Sequence, residues 1–131
     1  MTEPVPPPEV LIVAGSRWFT NEAWFNVYMD AYVKEHGMPR KIISGKEPKG
    51  TDAMAERWAL KRSVPFEGFP ADWKKHGKAA GPIRNQEMAE RGTHLLAFPA
   101  RSGKGTQDMI RRAQKAGMPV TEIEIDWINE Q

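Results

Sequence analysis

The sequence predicts an α/β fold, with a mostly parallel five-stranded sheet covered by helices on both faces. Two observations carry this. Short apolar runs alternate along the chain with segments of helical periodicity. Two of those runs stop at glycine and lead into a helix-start signal, as successive βα units do. Length agrees: 131 residues suit one domain with a real core.

The first element is Val10-Leu11-Ile12-Val13-Ala14, an apolar run ended by glycine that reads as a buried strand. Thr20 or Asn21 can cap a helix running to about His36. Its Trp24, Val27, Tyr28, Ala31 and Tyr32 recur at helical spacing, and Gly37 can end it. Lys41-Ile42-Ile43-Ser44 is a second strand, stopped by Gly45. A second helix starts near Thr51 and carries Met54, Ala55, Trp58 and Ala59 on one face. Pro65-Phe66-Glu67-Gly68-Phe69 reads as a third, weaker strand, and residues 70–81 as a loop. Pro82 suits the first turn of a helix that continues to about Arg91. His94-Leu95-Leu96-Ala97-Phe98 is a fourth strand. A helix from about Gly105 to Ala116 turns Met109, Ile110 and Ala113 inward, and Pro119-Val120-Thr121-Glu122-Ile123 makes the fifth strand. Prolines 4, 6, 7 and 8 imply an extended tail over residues 1–9; the domain is expected over 10–125, with a short tail at 126–131.

Composition narrows the function. Nineteen basic residues against seventeen acidic give a net charge of +2, too balanced to argue for nucleic acid or a membrane surface. The absence of cysteine excludes disulfides, thiolate catalysis and cysteine-based metal sites. His36, His76 and His94 lack metal-ligand spacing, so neither metal nor cofactor is expected. No apolar run approaches the roughly 20 residues of a membrane span, and the start of the chain lacks a signal-peptide layout. The expectation is a cytoplasmic protein.

In a parallel sheet covered on both faces, ligands bind beyond the carboxyl ends of the strands. Four unusual segments fall there. Gly15-Ser16-Arg17 follows strand one, with a glycine for close approach, a hydroxyl and a guanidinium fork; alone it reads better as a simple turn with an exposed arginine. Ser44-Gly45 and Gly50-Thr51-Asp52 span strand two to helix two, where a helix start can hold an anion and Asp52 can cap the helix or meet a ribose hydroxyl. Ser102-Gly103-Lys104-Gly105-Thr106 follows strand four and is the strongest local signal, a phosphate cradle of backbone N–H groups and the Thr106 hydroxyl. Its lysine placement is not that of a Walker A loop. The fourth runs from Asp72-Trp73 to Arg84-Asn85; Trp73 could stack on a base or pack as core, and Trp18 carries the same two readings.

In their order along the chain these segments resemble the YspA-type, YpsA-related branch of the SLOG superfamily. The resemblance rests on Ile12-Val13-Ala14-Gly15-Ser16-Arg17, Ile43-Ser44-Gly45, Gly50-Thr51-Asp52-Ala53, Ala71-Asp72-Trp73, the run from Gly77 to Asn85, and Gly103-Lys104-Gly105-Thr106. It implies a Rossmann-like three-layer sandwich, a nucleotide or nucleotide-derived ligand, and a homodimer or larger homo-oligomer. The superfamily includes the Lonely Guy phosphoribohydrolases, the DNA-processing protein A family and ligand sensors linked to bacterial defence. Against the Lonely Guy motifs, Arg84 and Met88 fit while Asn85 departs; Gly103, Gly105 and Thr106 fit, but Met109 stands where the catalytic glutamate would be. A methionine cannot move a proton. Asp108 lies one residue earlier, about 100° around the helix.

The expected function is therefore binding — sensing, carrying or sequestering — of a nucleotide-derived signal. Arg17, Arg84 and the 103–106 loop would take phosphate, and Asp52 and Asn85 the sugar. The alternative is a nucleotide N-glycoside or phosphoribosyl hydrolase, with Arg84 and Asp108 or Asp52 in chemical roles. A DNA-processing-type nucleic-acid binder is disfavoured by the near-neutral charge.

Overall fold

The computed structural model describes residues 7–101 and 103–126. Ser102, most of the proline-rich segment and most of the expected C-terminal tail lie outside the described residues. Five strands alternate with helices: β1 (Val10–Gly15), α1 (Glu22–His36), β2 (Lys41–Ser44), α2 (Thr51–Lys61), β3 (Phe66–Gly68), α3 (Trp73–His76), a 3-10 turn (Gly77–Ala79), α4 (Ala80–Arg91), β4 (His94–Phe98), α5 (Lys104–Lys115) and β5 (Val120–Glu122). The sheet order is β3-β2-β1-β4-β5, and every pairing is parallel. The chain leaves β1 in one direction through β2 and β3, then crosses back to build β4 and β5 on the other side. The switch point lies between β1 and β4, which are in register from Leu11 opposite His94 to Gly15 opposite Phe98.

Alternation along the strands makes two cores. Leu11, Val13, Ile42, Leu96 and Phe98 point to one face and pack with α1 and α2; Trp58 of α2 is its largest fully buried side chain. Ile12, Ala14, Ile43, Leu95 and Ala97 point to the other, against Met88 and Ala89 of α4 and Met109, Ile110 and Ala113 of α5. Strands apolar on both faces demand a helix layer on each, hence the three layers.

Two expectations are corrected. Helix α1 does begin after Asn21, whose side chain accepts from the N–H of Trp24 at 3.1 Å. Its inward residues, however, are Phe25, Met29 and Tyr32, while Val27 and Ala31 are exposed and Trp24 stacks on Tyr28. The helix is apolar around much of its circumference, so two stripes fit the period. The aromatic cluster over β4 selects one, with Phe25 ring to ring with Phe98 at 5.3 Å and with Phe19 at 6.4 Å. Residues 70–81 are likewise mostly helical. Asp72 caps α3 by accepting from the N–H of Lys75 at 3.1 Å, and Gly77 ends it at φ 56°. Four residues are too few for periodicity to show.

Candidate functional site

A cleft of about 560 Å³ opens at the carboxyl edge of the sheet, over the switch point. Gly15, Ser16 and Arg17 reach it from β1, Gly45 and Asp52 from the β2–α2 segment, and Gly103, Lys104, Gly105 and Thr106 from the start of α5. Trp73, Arg84, Asn85 and Asp108 complete the group, so most residues singled out from the sequence meet in one place.

Three others shape the cleft without lining it. Thr51 is fully buried and donates its hydroxyl to the carbonyl of Ser16 at 3.0 Å, while its N–H reaches the same oxygen at 3.2 Å. This ties the start of α2 to the β1 loop. Gly50 adopts φ 75°, and a Cβ there would overlap the Arg17 backbone. Ser44, also buried, accepts from the N–H of Lys46 at 3.3 Å and folds the turn after β2.

Arg84 is the hinge of the site. It rises from the second turn of α4 and donates through Nη1 to the carbonyls of Gly45, at 2.6 Å, and Phe69, at 3.3 Å. Its Nε donates to Oδ1 of Asn85 at 2.9 Å. That leaves Nη2 with no partner among the described residues. Gly45 permits this geometry, because a Cβ would overlap Nη1 and stand 3.0 Å from Oδ2 of Asp52.

Asn85 has a different place from the sugar contact expected of it. Both hydrogens of its Nδ2 are used, one to the carbonyl of Gly105 at 3.2 Å and one to Oδ2 of Asp108 at 3.0 Å. It is a buried link that fixes Arg84 on one side and the start of α5 on the other.

The two aspartates diverge. Burial tends to raise the Asp108 carboxyl, but hydrogen bonds from Arg112 and Asn85 and the charges of Arg112 and Arg111 outweigh it and hold the group below the usual range. Arg112 Nε lies 2.8 Å from its Oδ2. An ionised, doubly held carboxylate is a poor proton donor. Asp52 goes the other way. Burial pushes it up to about 7, opposed by the N–H of Glu47 and the charge of Arg84 and reinforced by the Glu47 carboxylate. Its Oδ2 accepts from that N–H at 3.2 Å, and its Oδ1 accepts from no described residue. Met109, at the expected glutamate position, is buried in the core beneath the cleft.

The charge distribution is uneven. The chain has nine arginines. Those at 40, 57, 62, 91, 101, 111 and 112 each pair with a carboxylate. Among the described residues the two left unpaired are Arg17 and Arg84, and both line the cleft. Lys104 is a third unpaired cation there, and the first turn of α5 behind it has no side-chain cap. Among the described residues no cluster of histidine, aspartate and glutamate could hold a metal, and no helix is long and apolar enough to cross a membrane.

A parallel three-layer sheet with its cleft at the switch point defines a Rossmann-like α/β protein. The profile of the YspA, cpYpsA-related SLOG family matches residues 9–76. The chain is also 46% identical over 118 residues to the Gene 61 protein of Mycobacterium phage D29, spanning 84% of this chain and 92% of that one. The chain belongs to the YspA, cpYpsA-related SLOG family. No solved structure matches it significantly.

Proposed function

We propose that the protein binds a nucleotide-derived anion in this cleft, as a sensor, carrier or sequestering protein. The observation that carries the reading is the pair of arginines without carboxylate partners among the described residues, Arg17 and Arg84, on one concave surface. Guanidinium groups left unpaired beside a helix start favour phosphate, which accepts from several donors at once. Lys104 and the backbone N–H groups of Gly105 and Thr106 would complete the phosphate site, with the Thr106 hydroxyl, which has no partner among the described residues. Asp52 would take a ribose hydroxyl through Oδ1. Asn85 positions rather than touches. Calorimetric titration with ribonucleoside 5′-monophosphates tests this: saturable binding in the wild type should weaken about tenfold or more in Arg17→Ala. No nucleotide affinity in the wild type would remove the assignment.

A second reading, N-glycoside hydrolysis, is favoured by one observation. A cleft carboxyl near pH 7 suits proton transfer, and that carboxyl is Asp52 rather than Asp108. Water would add its oxygen at the sugar C1′ as the C1′–N bond breaks, the base leaving with a proton from Asp52 and the proton released by the water restoring the Asp52 carboxyl. Chromatography of nucleotides incubated with the protein separates the two readings. Binding alone releases no free base; release that vanishes in Asp52→Asn would establish hydrolysis.

A further inference from the structure

The protein has five tryptophans, at 18, 24, 58, 73 and 127. Trp58 is buried and donates Nε1 to Asp30 at 3.1 Å; Trp24 stacks on Tyr28; Trp127 lies outside the described residues. The two most open are Trp18, at 69% exposure, and Trp73, at 52%, and both line the cleft. An indole left in water forgoes a large burial gain, so two of them on one concave surface mark a place that something flat and apolar covers.

Both rings stand on fixed backbone. The N–H of Trp18 donates to Oγ of Ser16 at 3.1 Å, and the next residue, Phe19, is fully buried with its own N–H on the carbonyl of Ser16. Trp73 opens α3 between the Asp72 cap and Gly77, whose N–H meets the Trp73 carbonyl. Its ring lies beside Gly81 at the start of α4, where a Cβ would touch it at 3.4 Å. Both rings are thus carried on hydrogen-bonded backbone, which lowers the entropic cost of stacking.

We infer that Trp18 and Trp73 are the stacking surfaces for the ligand's base, so that the cleft takes nucleobase-bearing phosphates in preference to sugar phosphates. This rests on the anion-binding reading above and extends it to the other end of the ligand. Stacking needs only a π-face, which every base has, so all four common bases should gain from it.

The test compares ribose 5-phosphate with the four ribonucleoside 5′-monophosphates by calorimetry. In the wild type the nucleotides should bind about 5- to 100-fold tighter than ribose 5-phosphate. Trp18→Ala and Trp73→Ala should each shrink that advantage while leaving ribose 5-phosphate affinity unchanged, and Trp73→Phe should retain most of it. Because both rings are exposed, the variants should melt with the wild type. An advantage that survives both alanine variants, or nucleotides no tighter than ribose 5-phosphate in the wild type, overturns the stacking role and leaves the anion site standing. Failure of both ligand classes to bind removes the anion site and the stacking surfaces together.

Discussion

Replacing Asp52 by asparagine should change how the stability of the fold depends on pH. The folded carboxyl titrates near 7, against 3.8 for an ordinary aspartate. The folded chain therefore binds the proton more tightly than the unfolded chain. The resulting stabilisation is complete below the unfolded value and is lost as pH rises through about 7. At about 1.36 kcal/mol per tenfold difference in proton affinity, the group contributes roughly 3 kcal/mol at pH 5 and almost nothing at pH 8. For a chain of this length that is a shift of about 10 °C in melting temperature. Asparagine keeps the shape and the acceptor for the Glu47 N–H but carries no proton to lose. Asp52→Asn should therefore gain roughly 3 kcal/mol on the wild type between pH 5 and pH 8. Glu22, Glu67 and Asp108 sit below their ordinary range, so their contributions are lost only in more acidic solution; they and His94, also lowered, are common to both proteins. Calorimetric melts of the two proteins at the two pH values decide the matter. An equal difference in melting temperature at pH 5 and pH 8 would refute the buried, raised carboxyl.

Arg84→Lys should cost about 1–3 kcal/mol of stability and fail to restore phosphate affinity, because one ammonium cannot serve Gly45, Phe69 and Asn85 together; a lysine variant with wild-type melting and binding would contradict this. Gly50→Ala should cost about 2 kcal/mol or more, since φ 75° is strained for alanine and its Cβ meets the Arg17 backbone, measurable as a fall in denaturation midpoint. Asn85→Asp should destabilise by about 1–3 kcal/mol, as it turns two donors into acceptors facing a carbonyl and the Asp108 carboxylate; the loss should be largest above pH 6 and recover as acid neutralises the new group.

Much of the fold was legible from residue order alone. Buried parallel strands must be apolar on both faces, so β1, β2 and β4 stand out as short unbroken runs, and β2 and β4 have the bounds the runs suggest. The glycine that ends α1 was equally visible, and its cap was narrowed to Thr20 or Asn21, of which the structure uses Asn21. Less was legible where the local signal admits two solutions. The aromatic and aliphatic residues of α1 make two stripes, and the ring of Phe98, distant in sequence, chooses between them together with Phe19. The same limit applied to Asn85. As a residue type it is suited to a sugar hydroxyl, yet its hydrogens are consumed by Gly105 and Asp108 on another helix.

The loops after β1, β2 and β4 were placed on the binding edge by sequence, since alternating strands and helices put every βα loop at the carboxyl end of a parallel sheet. Tertiary structure decided which groups in those loops remain available. Ion pairing depends on approach between residues far apart in the chain. No local pattern shows that seven arginines find carboxylates while, among the described residues, Arg17 and Arg84 do not. Proton affinity is equally non-local: Asp52 and Asp108 are the same residue type near the starts of two helices, and burial raises one while Arg112 and Asn85 hold down the other.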